Sequence, residues 1–187
     1  DICGKTMLER TFDRALKVFD SSQIYIATDS EIIKDSAKKY TQNIIMTSPD
    51  CLTGTDRIAE FSAIVPANSY INLQGDEPIM PIQNIIDIKK QAEQNIDTVI
   101  NGFASITHHE DYFSATIPKV VVNESNQLMY MSRAPIPGNK VGKFESAYKQ
   151  ICVYSFPKKA LENYGLKSSK SKNENIEDIE IMRLLDR

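Results

Sequence analysis

Cysteine is scarce and placed for neither covalent nor metal chemistry. Cys3, Cys51 and Cys152 are odd in number, far apart and without metal-ligand spacing, so free thiols in a reducing, cytoplasmic compartment are expected. No secretory signal and no long apolar span occurs, which argues against a membrane partner. A net charge of −3 with no run of basic residues gives no electrostatic reason to expect nucleic acid or an anionic surface. There is no complete Gly-x-x-x-x-Gly-Lys-Ser/Thr phosphate loop, no Gly-x-Ser-x-Gly elbow, no paired-cysteine motif and no Asp-x-Asp metal pair, so hydrolase, redox and metal-pair glycosyltransferase readings lack support. No internal repeat is found.

What is present is an ordinary globular composition, 41% hydrophobic and 25% charged over 187 residues, enough for one core and too little for two full-sized domains. Leu8, Phe12, Ala15, Leu16 and Phe19 recur at helical spacing between Thr6 and Asp20. Short strands follow at Gln23 to Ala27 and Asn43 to Met46, with a helix between them reaching about Tyr40 and capped by Asp29 or Ser30. A helix starts at Gly54, a strand centres on Tyr70, and a further helix runs from Pro81 to about Gln94. This alternation predicts an α/β fold with a doubly wound, mostly parallel sheet. From Thr98 the character changes. Strands at Thr98 to Ile106, Lys119 to Asn123 and Leu128 to Ser132, the last two joined by the turn Glu124 to Gln127, predict a smaller antiparallel lobe over 98–148. A strand from Gln150 to Phe156 and a helix from Pro157 to Tyr164 resume the main body. Residues 165–174 read as an exposed linker. A final helix from Asn175 to Leu185 should turn Ile176, Ile179 and Met182 inward, with Glu177, Asp178 and Glu180 in its first turn.

The chemistry gathers around Tyr70-Ile71-Asn72-Leu73-Gln74-Gly75-Asp76-Glu77-Pro78, an apolar run stopped by a glycine, two carboxylates and a proline. A carboxylate at the carboxyl end of a strand faces the crevice where open α/β sheets bind ligands, and an Asp there suits a hard cation such as Mg²⁺ beside phosphate oxygens. The same stretch also reads as a plain polar turn. Thr53-Gly54-Thr55-Asp56-Arg57 places hydroxyls, backbone N–H groups and a cation at a helix start, fit for an anion or a base edge, or simply a helix cap. Arg133, ahead of a Pro-rich loop, can fork onto a carboxylate or be an ordinary surface residue. Gln150 and Tyr154 share one face of a strand and can line a polar pocket; such a tyrosine is otherwise core. His108-His109 reads as a solvated helix start.

Gly4-Lys5-Thr6-Met7, Ala27-Thr28-Asp29, Thr53 to Glu60, Asn72 to Pro78, Tyr130 to Pro137 and Glu177-Asp178-Ile179-Glu180 fall in the order and approximate spacing of one family. The chain resembles the 3-deoxy-manno-octulosonate cytidylyltransferases, the CMP-Kdo synthetases, across essentially its whole length. The resemblance implies a single nucleotidyltransferase domain, Rossmann-like, with the small antiparallel lobe serving dimerisation. It also implies a reaction in which a 2-keto-3-deoxy sugar acid is activated by CTP with Mg²⁺, for bacterial lipopolysaccharide or capsule synthesis. By the same resemblance Asp76 would bind Mg²⁺ and Gln74 would touch both nucleotide and sugar. Thr53, Gly54, Thr55, Arg57 and Gly75 would hold the nucleotide, while Arg133, Gln150, Tyr154, Glu177 and Asp178 would face the sugar.

Two departures qualify that picture. Gln150 stands where the family has a His contacting the sugar, and an amide keeps hydrogen bonding but carries neither proton nor charge, so the sugar acid accepted is open between Kdo and a modified relative. The family's opening strand with its Pro-Ala-Arg phosphate loop, and its closing segment with a second metal Asp, are expected to lie outside residues 1–187. A noncatalytic nucleotide-binding or assembly protein that retains the fold is therefore the alternative to an enzyme.

Overall fold

The structure, a computed structural model, describes residues 2–165 and 169–187. The chain divides into two units, residues 1–100 with 152–168, and residues 101–151 with 169–187.

In the first unit α1 (Met7–Ala15) begins where the Thr6 hydroxyl accepts the N–H of Glu9 at 3.1 Å, which satisfies one of the orphan donors of a helix start. The apolar periodicity continues to Phe19, but the helix stops at Ala15 and the chain closes through turns onto the Ala15 carbonyl. After a short 3₁₀ turn at Ser21–Gln23, β1 (Ile26–Thr28) pairs in parallel with β2 (Ile44–Met46) across α2 (Glu31–Ala37). Phe12, Ile26 and Ala37 form the small core beneath α1, with Leu8, Ile24, Tyr40 and Ile44 packed against it. α3 (Gly54–Ile64) packs on both β1 and β3 (Ser69–Leu73), and α4 (Ile82–Gln94) returns over β3. Pro81 is the cap of α4 rather than its first helical residue. The unit is completed by the second half of β7 (Tyr148–Pro157), which runs antiparallel to β3 with Asn72 opposite Tyr154, and by α6 (Lys158–Gly165), which lies on α3.

In the second unit β5 (Lys119–Val122) and β6 (Leu128–Ser132) form the expected hairpin, and the first residues of β7 pair antiparallel with β5. β4 (Ile100–Ser105) precedes the short helix α5 (His109–Phe113). Ile106, Tyr112, Phe144 and Ala147 make its apolar cluster, and the Tyr112 hydroxyl is 3.1 and 3.0 Å from the carbonyls of Pro135 and Pro137, fastening the Pro-rich loop. Lys119 is fully buried. Its ammonium donates to the carbonyls of Ser114, Ile117 and Arg133, each at 2.7 Å, which is the compensation a buried charge requires.

Three expectations are corrected. The sheet pairings are mixed rather than mostly parallel, because β7 re-enters against β3 instead of alongside it. Residues 165–174 are not all an exposed linker: 166–168 lie outside the described residues, but Ser171 caps α7 (Lys172–Glu177) in a capping box with Glu174, and Glu174 is fully buried. The final helix is two, α7 and α8 (Met182–Leu185), separated at Asp178, whose φ of 51° is left-handed. Ile176 therefore faces out at 69% exposure, whereas Ile179 and Met182 are buried as the periodicity predicts. Glu177 closes α7 rather than opening a helix.

Candidate functional site

The first unit contains a cavity of about 910 Å³ with Asp29, Gly54, Arg57, Gln74, Gly75 and Asp76 among its lining residues. Local sequence explains how they meet. Thr28-Asp29 ends β1, Gln74-Gly75-Asp76 ends β3, and α3 starts at Gly54, so two strand ends and a helix start open onto one cavity, as in α/β ligand crevices.

Arg57 is aimed by side chains that turn it toward that cavity. Its Nη1 donates to the Thr47 hydroxyl and, at 3.4 Å, to the Ser48 carbonyl, while Nη2 stands 3.4 Å from the Asp29 carboxylate. The loop beneath it is held from α3: the Glu60 carboxylate accepts the Ser48 N–H at 2.9 Å and the Cys51 thiol at 3.3 Å. Burial and the Glu60 carboxylate push the Cys51 thiol up to about 11, so it is a hydrogen-bond donor and not a nucleophile. Thr53 caps α3, accepting the Asp56 N–H at 3.2 Å and donating its proton to the Asp56 carboxylate at 2.7 Å. The Tyr164 hydroxyl lies 3.3 Å from the same Thr53 oxygen; with the Thr53 hydroxyl donating to Asp56, Tyr164 is the donor between these two hydroxyls. Thr53 and Thr55 are not among the cavity-lining residues, and Thr55 is fully buried.

The turn that carries Asp76 is held by α1. The Thr11 hydroxyl lies 3.1 Å from the Gly75 carbonyl, and Arg14 Nε reaches the Pro78 carbonyl at 3.4 Å. Backbone bonds from Glu77 to Gln74 and from Met80 to Glu77 complete it. Asp76 is exposed and no ion pair engages it among the described residues. Burial, and then the neighbouring Asp76 charge, hold the Glu77 carboxyl above the usual range, against a Cys152 hydrogen bond that lowers it. Among the described residues no group of three or more His, Cys, Asp or Glu is arranged to hold a metal by itself. A lone exposed carboxylate on a cavity rim fits a cation of the Mg²⁺ kind, which takes one or two protein carboxylates and completes its shell with substrate oxygens and water.

The second unit gathers Arg133, Glu177 and Asp178. The Glu177 carboxylate accepts from the Ser132 hydroxyl at 2.7 Å, the Arg133 N–H at 2.9 Å and the Tyr130 hydroxyl at 3.4 Å. The Arg133 guanidinium donates to the carbonyls of Glu177 at 2.7 Å, Asp178 at 2.9 Å and Ala115 at 3.1 Å. Asp178 hydrogen-bonds Lys170 at 2.9 Å, which holds its carboxyl below the usual range. Behind them the Arg183 guanidinium clamps the Glu174 carboxylate through two bonds of 2.7 and 2.6 Å, both side chains essentially fully buried. Gln150 donates to the Asn101 side chain at 3.4 Å, and Asn101 in turn donates to the Ile151 carbonyl at 3.1 Å. Tyr154, on the part of β7 that belongs to the first unit, is buried and stacked 5.8 Å from Phe156.

Sequence reasoning did not assign Asp29, Thr11 or Thr47. The signal for Asp29 was present, since Thr28-Asp29 ends a strand just as Gln74-Gly75-Asp76 does; Thr11 and Thr47 act through contacts that no local pattern encodes.

A family model described as Cytidylyltransferase matches residues 1–187. The 3-deoxy-manno-octulosonate cytidylyltransferase of Escherichia coli is 32% identical over 189 residues, which take in all of this chain and 75% of that protein. The protein of the same name from Protochlamydia amoebophila is 31% identical, covering 99% of this chain and 74% of its own length. Among solved structures, a CMP:2-keto-3-deoxy-manno-octonic acid synthetase complexed with CTP superposes with a TM-score of 0.90 at 30% identity, over all of this chain and 77% of that one. HddC from Yersinia pseudotuberculosis, at 18% identity and a TM-score of 0.60 over 91% of this chain and 71% of that one, shares the fold.

Proposed function

The chain belongs to the cytidylyltransferase family, and from that premise we propose that it activates a 2-keto-3-deoxy sugar acid, Kdo or a close relative, with CTP to give a CMP-sugar and pyrophosphate. The anomeric hydroxyl oxygen forms a bond to the α-phosphorus, the bond from that phosphorus to the β-phosphate bridging oxygen breaks, pyrophosphate leaves, and the hydroxyl proton passes to water. The observation that carries the reading is the joint placement of Arg57, Gln74 and Asp76 on one cavity of a chain with this family membership.

The work of such a site is positioning and charge neutralisation rather than covalent catalysis. Arg57, braced by Thr47 and Asp29, offers a cation to the nucleotide. The start of α3 at Gly54 offers backbone N–H groups, and the Gln74 amide can donate and accept at once. The Asp76 carboxylate would hold a divalent cation, of which Mg²⁺ is our choice, and that cation would neutralise phosphate charge. Thr53 and Thr55 serve by shaping the start of α3. In the second unit Glu177, Asp178 and Gln150 offer hydrogen bonds to sugar hydroxyls, and Arg133 holds that set in place. Tyr154, in the first unit, is assigned to the sugar on the family likeness alone. A homodimer through the β5–β6 hairpin, a doubly wound arrangement of the main body, a cytoplasmic location and a role in lipopolysaccharide or capsule synthesis belong to the same proposal.

The test is pyrophosphate release from CTP with Kdo and with an amino-substituted relative, with and without Mg²⁺. Sugar-dependent release that falls at least about 100-fold in Asp76→Asn, with unchanged thermal unfolding, supports the assignment. CTP binding without release under any sugar acid would favour the noncatalytic reading.

A further inference from the structure

Glu60 stands three residues after Arg57 on α3, so both side chains leave the same side of the helix. Arg57 lines the cavity, whereas Glu60 is not among its lining residues. The Glu60 carboxylate is spent instead on the loop between β2 and α3, which it grips at two points. Oε1 accepts the Ser48 N–H at 2.9 Å and Oε2 the Cys51 thiol at 3.3 Å. Burial and this carboxylate push the thiol up to about 11, so Cys51 keeps its proton at neutral pH and the second contact is always available.

Ser48 is where the two side chains of α3 meet. Its N–H goes to Glu60, its carbonyl accepts from Arg57 Nη1 at 3.4 Å, and its hydroxyl accepts the Asp50 N–H at 3.0 Å. Thr47, whose hydroxyl takes the same Nη1, is buried, and its N–H is fastened to the Thr28 carbonyl of β1 at 2.9 Å. The loop is thus tied to β1 through Thr47, to Glu60 through Ser48 and Cys51, and to the start of α3 through the Thr53 cap. The two ends of the Arg57 guanidinium therefore differ. Nη1 rests on this tied loop, while Nη2 faces the Asp29 carboxylate at 3.4 Å, and Asp29 borders the cavity. A partly solvated ion pair of that length is weak, so it is the contact a ligand can replace.

We propose that Glu60 is a positioning residue for nucleotide binding: by holding Ser48 and Cys51 it keeps the Nη1 end of Arg57 anchored while the Nη2 end exchanges Asp29 for an anionic oxygen of the nucleotide. This rests on the assignment of Arg57 to the nucleotide. A long side chain loses rotamer freedom when it binds, and a guanidinium already held at one end has less of it left to lose. Glu60 does this without touching the ligand. Its removal therefore weakens nucleotide binding and leaves the KM of the sugar acid unchanged.

The experiment compares Glu60→Leu, Glu60→Gln and Cys51→Ala with the unaltered chain in three readouts: the guanidinium NMR signals of Arg57 without ligand, assigned with Arg57→Lys, the Kd for CTP by calorimetry, and the KM of Kdo in turnover. Glu60→Leu should turn separately resolved Arg57 Nη signals into averaged ones and weaken CTP binding about 10-fold. Glu60→Gln keeps an oxygen for the Ser48 N–H and should stay within about 2-fold of the unaltered chain. Cys51→Ala removes one of the two grips and should cost about 2-fold, with the same change in the Arg57 signals to a lesser degree, and it decides the matter should Glu60→Leu fail to fold. The proposal is overturned if the variant that folds leaves either the Arg57 signals or the CTP affinity unchanged. It is also overturned if Glu60→Gln binds as weakly as Glu60→Leu, which would make the effect one of charge and not of position, or if the KM of Kdo rises in step with the Kd for CTP, as a general loosening would cause. Absence of CTP binding by the unaltered chain would overturn the Arg57 assignment and this proposal together, whereas normal binding that ignores Glu60 overturns this proposal alone.

Discussion

Two arginines, Arg57 in the first unit and Arg133 in the second, start from the same chemistry and are used differently. Arg57 is braced by side chains, Thr47 and Asp29, and borders a cavity. Arg133 spends its donors on three backbone carbonyls and is a fastener of its own chain. The contrast extends outward. Around Asp76 the polar groups face open space; around Glu177 they close on one another, with the Arg183–Glu174 pair sealed behind. A guanidinium bound to main chain is committed to structure, whereas one held by side chains at a cavity edge can exchange a partner for a ligand.

The sharpest test of the closed half is Arg183→Leu. It leaves the Glu174 carboxylate buried without its cation, and removing one partner of such a pair costs about 3–5 kcal/mol. We expect that loss in chemical denaturation, with α7 and α8 the first segments to lose exchange protection. A loss under about 1 kcal/mol would mean that Glu174 finds water and that this half is as open as the first.

The comparison itself is tested by paired substitutions. Arg133→Ala removes three charge-assisted bonds and should cost about 2 kcal/mol of stability. Arg57→Ala should cost less than about 1 kcal/mol but weaken CTP binding about 10-fold in calorimetry. If instead Arg57→Ala destabilises and Arg133→Ala only weakens ligand binding, the two roles are reversed.

What the sequence revealed follows the same division. Strand ends and helix starts carry local signatures: Leu73-Gln74-Gly75-Asp76 leaves β3 and Thr53 to Arg57 opens α3 where the pattern places them, although Thr53 and Thr55 do not line the cavity. The closed half was misread because its stability is non-local. Glu174 is charged and follows a Ser- and Lys-rich stretch, so by composition it belongs to a linker; only Arg183, nine residues on, makes its burial tolerable. The left-handed Asp178 has no breaker signature, since neither glycine nor proline marks it, and one apolar periodicity was thus drawn through two helices. β7 running against β3 was equally invisible, because strand direction depends on the route of the intervening chain and not on the strand's own residues.

A smaller effect is expected where α1 steadies the open half. Thr11→Val preserves shape but removes the hydroxyl 3.1 Å from the Gly75 carbonyl, which should cost about 1 kcal/mol. If that bond sets the position of Asp76, the variant also shows a several-fold fall in kcat at limiting Mg²⁺ that saturating Mg²⁺ restores. A fall in stability with unchanged Mg²⁺ dependence would assign Thr11 to packing alone.

The smallest effect separates two reasons for a glycine at position 75. In the sequence it reads as the residue that lets the chain leave the strand, yet its φ lies outside the left-handed range, so no side chain is forbidden there by backbone strain. What a methyl group would meet is Leu8 Cδ1, at 3.1 Å. That contact is tight, but its partner is the far end of a flexible side chain. Gly75→Ala should therefore change stability by no more than about 0.5 kcal/mol, the entropic gain from a stiffer unfolded chain offsetting the crowding of Leu8. Gly75→Ala combined with Leu8→Ala removes the crowding, so in the Leu8→Ala background the same alanine should be neutral or stabilising. A loss above about 2 kcal/mol in both backgrounds would show that the turn needs glycine for its backbone after all, and that the approach of α1 to the Asp76 turn is a consequence of that need.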